Sequence, residues 1–158
     1  MAKSAAMAKT TIHIDALAQW VGREVAASDW LEITQERIDT FAAAGGDHQW
    51  IHVDRERAAR ESPFGRTIAH GFLTVAVLSK LLGDSLEIGG RRMGINYGLN
   101  RLRFPSPVPS GSRVRARFVL GALEAIEGGV QTTWNVTVER EGEAKPALVA
   151  EWLTRHYR

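Results

Sequence analysis

Hydrophobic and polar positions divide the chain into two regimes. Up to about residue 85 the apolar residues recur at helical spacing; after Gly90 they alternate with polar ones. "HIDALAQWVGRE" predicts a short amphipathic helix closed by Gly22, with Asp15 as its cap and Leu17, Trp20 and Val21 facing inward. "EVAASDWLEIT" is more extended. Thr34 is placed to cap "QERIDTFAAAGG", where Ile38, Phe41 and Ala42 share a face and Gly45 or Gly46 ends the helix. Asp54 is placed to cap "RERAARES", which stops at Pro63 and Gly65. "TIAHGFLTVAVLSKLL", Thr67 to Leu82, is apolar on nearly every side and predicts a buried helix stopped by Gly83.

"GINYGLNRLRF", "RVRARFVLGALEAI", "VQTTWNVTVER" and "ALVAEWLTRHY" read as antiparallel strands, each with one buried and one wetter face. Arg113, Arg115 and Arg117 form the wet face of one of them. "EGG" at Glu127–Gly129 and "REGE" at Arg140–Glu143 mark hairpin turns. The class is α+β: a buried helix wrapped by an antiparallel sheet. Residues 1–11 are expected to be a disordered tail and 12–158 a single domain.

Composition narrows the chemistry. The chain has 158 residues, enough to bury a core without staples. It has no cysteine, which removes disulfides and thiolate zinc sites and fits a reducing, cytoplasmic compartment. Net charge is +2 with the basic residues dispersed, which argues against nucleic acid but suits a small anionic ligand. The first residues are too short and too weakly apolar for a signal peptide or membrane span.

One stretch concentrates titratable groups: "GGDHQWIHVD", Gly45 to Asp54. His48 and His52 have the four-residue spacing of two ligands on one helix face. A metal is disfavoured because the stretch follows Gly-Gly, lacks a Glu beside the first His, and finds no third His in a ligand pattern. Asp47 and His52 are a better pair for acid/base work. On a helix they would diverge by about 140°, but on a turn they converge on one water. Alternatively Asp47 closes a turn and His52 is a satisfied, partly buried histidine. In "FGRTIAHGF", Gly71 opens an apolar helix. It offers a free N–H to a ligand oxygen, or lets two segments pack closely. His70 is left out of the catalytic set.

Together, "FAAAGGDHQWIHVD", "FGRTIAHGFL" and "LRFPSPVPSGSRV" resemble the MaoC-like dehydratases, the (R)-specific enoyl-CoA hydratases of hot-dog fold. Gln49-Trp50 replaces that family's usual Asn-Pro and is similar to the branch related to nodulation protein N. The resemblance implies a homodimer acting on an acyl-CoA or acyl carrier protein thioester, with no metal or other cofactor. Asp47 and His52 would activate water, and the Gly71 N–H would hold the thioester oxygen. Gln49 keeps an amide able to orient a reacting group, and Trp50 either shapes the acyl channel or packs. Arg66, Arg101 and Arg103 are candidates for the phosphates, and Asn96 and Asn100 are amides on the strand facing the helix. A non-catalytic thioester-binding or signalling module and a hot-dog thioesterase are the competing readings.

Overall fold

A computed structural model describes residues 8–158. The chain opens with β1 (Thr10–His13) and a 3-10 helix (Ile14–Trp20), followed by β2 (Glu24–Ala27) and β3 (Leu31–Glu32). Five α-helices come next: α1 (Gln35–Gly45), α2 (Trp50–Val53), α3 (Arg55–Glu61), α4 (Gly71–Ala76) and α5 (Leu78–Ser85). It closes with β4 (Leu86–Gly89), β5 (Met93–Arg103), β6 (Arg113–Ile126), β7 (Gly129–Arg140) and β8 (Leu148–Tyr157). Of the tail expected over residues 1–11, Thr10 and Thr11 lie in β1, paired in parallel with Leu86 and Glu87 of β4; residues 1–7 lie outside the described residues.

The main sheet is antiparallel, in the order β2-β6-β7-β8-β5, with β3 also paired to β6. Period-two alternation sets its buried face. Val114, Ala116, Phe118 and Leu120 of β6 point to the core, as do Val130, Trp134, Val136 and Val138 of β7. Helices α4 and α5 lie across that face and contribute Leu73, Val77, Leu78, Leu81 and Leu82. Each such side chain contributes about 1.5–3 kcal/mol by leaving water. On the outer face Arg113 pairs with Glu141, Arg115 with Glu139, and Arg117 with Glu24 and Glu139. Among the described residues no helix is long and apolar enough to cross a membrane.

Three local expectations change. The first helix is 3-10, and His13 caps it through Nδ1 while Asp15 pairs with Arg158 at 2.8 Å. Val21 falls beyond its end and is 42% exposed. The central helix starts at Gly71 rather than Thr67, because neighbours capture the four residues before it. Ala69 N–H donates to the Val108 carbonyl at 2.8 Å, and Ser110 N–H to the Thr67 carbonyl at 2.9 Å. The single helix expected divides at Val77 (ψ −9°) into α4 and α5, and α5 runs past Gly83 to Ser85, whose hydroxyl bonds the Leu81 carbonyl at 2.7 Å. Nor is α4 buried all round: Phe72 is 67% exposed.

Strand β5 is the sheet's free edge, and its apolar residues face solvent. Met93, Ile95, Tyr97 and Leu99 are 45%, 40%, 53% and 37% exposed. A long, apolar, unpaired edge is a template for pairing with another strand.

A polar chain runs through the core where β7 meets β8. Arg91 donates to His156 Nδ1 at 3.0 Å. Since guanidinium only donates, Nδ1 is bare and the proton sits on Nε2, which donates to Thr154 Oγ1 at 2.9 Å. Trp134 Nε1 donates to that same oxygen at 3.0 Å, and the Thr154 hydroxyl passes on to Thr132 at 2.6 Å. Every group finds a partner only while His156 is neutral. Burial, then the charge of Arg91, holds His156 down to about 4, against the ordinary 6.5.

Stability linked to His156 is therefore fully present above pH 6.5. It drains as pH falls toward 4, because the unfolded chain binds a proton that the folded one refuses. The slope is at most about 1.4 kcal/mol per pH unit. We expect the melting temperature to fall across that window while the His156 imidazole shows no NMR titration above pH 5. A His156 signal titrating near 6.5 contradicts this.

Candidate active site

Helix α1 sets the position of the first group. The Thr34 hydroxyl accepts the Arg37 N–H at 3.2 Å to start it, and Gly46 (φ 74°) ends it by turning the chain sharply. Asp47 follows directly. Its carboxylate accepts the Gln49 N–H at 3.3 Å, an Asx turn that starts α2. Asp47 thus stands outside α2 and His52 inside it, so the five-residue spacing converges as a turn allows.

The extended segment Thr67–His70 supplies the second wall. Ile68 N–H bonds the Ile51 carbonyl at 3.1 Å, and Ile68 forms a bridge with Pro109. This brings His70, which the sequence pattern leaves out, beside the expected pair. Asp47, His52 and His70 each place one ligand atom within 4.8 Å of the others. Asp47 is exposed, while the two histidines are 8% and 4% exposed. The imidazoles stack with centroids 3.8 Å apart and planes tilted by 25°, and Phe41 lies against His70 at 5.0 Å.

Backbone carbonyls fix both tautomers. His52 Nδ1 lies 2.7 Å from the Ile68 carbonyl, an acceptor, so Nδ1 carries a proton, and in the neutral ring Nε2 is the bare nitrogen. His70 Nε2 lies 2.9 Å from the Asp47 carbonyl, so Nε2 carries the proton and Nδ1 is bare. His70 Nδ1 is buried and has no partner. Two bare imidazole nitrogens beside a carboxylate make a site that accepts protons.

The same three residue types also occur as metal ligands, and their ligand atoms lie close enough together for that role. The group is equally placed to hold a water that donates to two of its acceptors.

Gln35 and Thr67, neither of which stands out in the sequence, brace the site from behind. The Gln35 amide donates to the His52 carbonyl at 2.8 Å and to Asp39 at 2.7 Å, and its oxygen accepts the Thr67 hydroxyl. One buried side chain thereby ties α1, α2 and the Thr67–His70 segment together. A Gln following a helix cap is so ordinary on a surface that nothing in the pattern marks it as buried.

Gly71 begins α4, and among the described residues its N–H has no hydrogen-bond acceptor. The free N–H and the close packing expected of this glycine are both present. A Cβ here would come within 2.8 Å of the Phe104 ring. His52, Gly71, Thr74, Phe64, Phe104 and Pro105 are among the residues lining a cavity of about 340 Å³.

The remaining candidates do not converge there. The Gln49 backbone starts α2, but its side chain makes no cap. Trp50 stacks beneath the Arg57 guanidinium at 4.4 Å and does not line the cavity. Arg66 bonds the Ser110 carbonyl at 3.3 Å on the surface. Arg101 and Arg103 line an open groove with Asn135 and Glu151, and that groove shares no residue with the cavity beside His52. Asn100 is exposed on the edge strand, and Asn96 donates to Ser79 at 3.3 Å. His48 is exposed, and Asp54 caps α3 by accepting the Arg57 N–H at 2.9 Å.

Comparison with known proteins bears on the family and the fold. The family model described as MaoC like domain matches residues 16–141. The 3-hydroxyacyl-thioester dehydratase Z of Mycobacterium tuberculosis is 55% identical over 141 residues, covering 89% of this chain and 93% of that protein. Nodulation protein N of Rhizobium leguminosarum bv. viciae is 52% identical over 136 residues, 85% of this chain and 84% of the relative. Among solved structures, an (R)-hydratase from A. caviae involved in PHA biosynthesis superposes with a TM-score of 0.69 at 29% identity, covering 83% of this chain and 93% of that one. The hot-dog fold is therefore established.

Gly71→Ala tests the packing at the cavity. We expect it to cost about 1–3 kcal/mol through the clash with Phe104. Adding Phe104→Ala should recover part of that loss relative to Phe104→Ala alone, as a double-mutant cycle of thermal or urea unfolding would show. Additive effects would mean that the two residues do not touch.

Proposed function

Because the chain belongs to the MaoC-like dehydratase family, and so to the hydro-lyases, we propose that it reversibly adds water to trans-2-enoyl thioesters to give (R)-3-hydroxyacyl thioesters. The supporting observation is that His52 and Gly71, whose N–H is unpaired among the described residues, line one cavity, and that Asp47, outside that lining, places a carboxylate oxygen within 4.8 Å of a His52 ring nitrogen. The thioester is carried by coenzyme A or acyl carrier protein.

The chemistry follows from those groups. A water held between Asp47 and His52 gives up a proton to the pair as its oxygen bonds to C3 of the enoyl chain. The C2–C3 π electrons move toward the carbonyl, and the thioester oxygen gains negative charge. The Gly71 N–H, at the start of α4, donates to that oxygen where the charge develops. The pair then delivers the proton it took from water to C2, which completes the net addition of water and restores the pair, and the reverse sequence expels water. No electron is transferred overall, and the thioester carbonyl itself acidifies C2, so the reaction calls for neither a redox carrier nor a metal.

His70 stacks on His52 and is hydrogen-bonded to the Asp47 carbonyl, so it holds the two reacting groups in register. The reading as a non-catalytic module relies on Trp50 narrowing the site. Trp50 instead packs under Arg57, which leaves the cavity to substrate.

The exposed apolar edge at β5 supports the proposed homodimer, in which two edges pair across a two-fold axis.

Two measurements check these proposals. Hydration of crotonyl-CoA, followed as loss of enone absorbance, should fall at least about 100-fold in Asp47→Asn, whose melting temperature stays near wild type, and in His52→Gln, assayed where circular dichroism shows it folded because the buried ring also docks α2. Two active variants would remove the pair from the mechanism. Light scattering should find a dimer that Tyr97→Lys and Ile95→Lys convert to monomer. A monomeric wild type would remove the edge from assembly.

A further inference from the structure

A second cavity, of about 230 Å³, lies under α5 and shares no residue with the one beside His52. Its walls divide by chemistry. Leu82, Leu86, Ile88, Ile95 and Trp152 supply apolar lining, Ser79, Asn96 and Thr154 supply neutral polar groups, and Arg91 and His156 lie among them.

Arg91 is half-buried, and among the described residues no carboxylate hydrogen-bonds or ion-pairs with it. Glu87 feels its charge but is paired with Lys9 at 2.8 Å. The hydrogen-bond partner of Arg91 is the bare Nδ1 of His156, a neutral acceptor. The chain of bonds behind His156 leaves no proton for Nδ1, so the imidazole supplies no charge of either sign. Gly94 keeps the space open, since a Cβ there would come within 2.7 Å of the Arg91 guanidinium. The fold thus holds a cation in the lining of a cavity with apolar walls beside neutral polar groups, and among the described residues leaves most of its five donors unused. A charge in such surroundings calls for a counter-ion with hydrogen-bond acceptors, and a carboxylate matches guanidinium in both charge and fork geometry.

We propose that this cavity binds an apolar chain of about six carbons that ends in a carboxylate, with the carboxylate on Arg91. At about 30 Å³ per small group the volume admits roughly eight heavy atoms, the size of hexanoate. The same chemistry has two sources: a free short-chain acid, or the far end of a dicarboxylic acyl thioester. The site stands independently of the hydratase proposal, because it is read by binding rather than turnover.

Isothermal titration of the full chain with hexanoate, 1-hexanol, adipoyl-CoA and hexanoyl-CoA tests it. Hexanoate should bind at least tenfold tighter than hexanol if the free acid is the ligand. Adipoyl-CoA should bind at least tenfold tighter than hexanoyl-CoA if the thioester end is. In either case Arg91→Gln should abolish the preference, and Arg91→Lys, which keeps the charge but loses the fork, should keep part of it. Circular dichroism and the melting temperature establish that each variant is folded. No saturable binding of either carboxylate, or a preference unchanged in folded Arg91→Gln, overturns the assignment.

Discussion

The hydrogen bond from His52 Nδ1 to the Ile68 carbonyl, 2.7 Å long, fixes the chemistry of the site. It docks a one-turn helix onto an extended strand segment, and it also decides which ring nitrogen is bare. The Ile51 carbonyl returns a bond from the Ile68 N–H, so the same two segments are tied in both directions. Gln35 adds a third tie through the His52 carbonyl and the Thr67 hydroxyl. A side chain held this firmly loses little freedom when it meets a substrate, which is how preorganised groups lower a barrier.

The same docking explains why the central helix begins late. Residues Thr67–Ala69 spend their backbone groups on Ile51, Val108 and Ser110 and have none left for a helix. Helix α4 then starts at Gly71, which lines the cavity and whose N–H has no acceptor among the described residues. Only a glycine fits there beneath Phe104. One constraint thus places the proposed base and frees the N–H of Gly71.

Much of the fold is legible in the sequence because it depends on local periodicity. The alternation in "RVRARFVLGALEAI" corresponds to β6, with arginines outward and Val114, Ala116, Phe118 and Leu120 inward. Thr34 and Asp54 cap helices as their types suggest. Pattern and structure part where distant contacts override the local period. Thr67–His70 continues a helical period but pairs with residues about forty positions later, which no short window contains. Phe72 reads as core yet is exposed. Asp47 and His52 are legible as a pair because a turn signal, Gly-Gly, precedes them. His70, Gln35 and Thr67 are not, since their roles depend on a stacking and a buried amide that only the assembled chain creates. Arg103 and Asn100 lie apart from the cavity for the converse reason: a plausible residue type says nothing about which side of a sheet edge it occupies.

The proposed chemistry depends on backbone carbonyls holding the neutral His52 ring with Nε2 bare and the neutral His70 ring with Nδ1 bare. Long-range proton–nitrogen NMR on histidine-labelled protein at neutral pH reads each ring nitrogen directly. A protonated Nδ1 and bare Nε2 are expected for His52, with the opposite tautomer for His70. A His52 ring protonated at Nε2 alone, with Nδ1 bare, would contradict this, because that ring could neither donate to Ile68 nor accept a proton from water at Nε2.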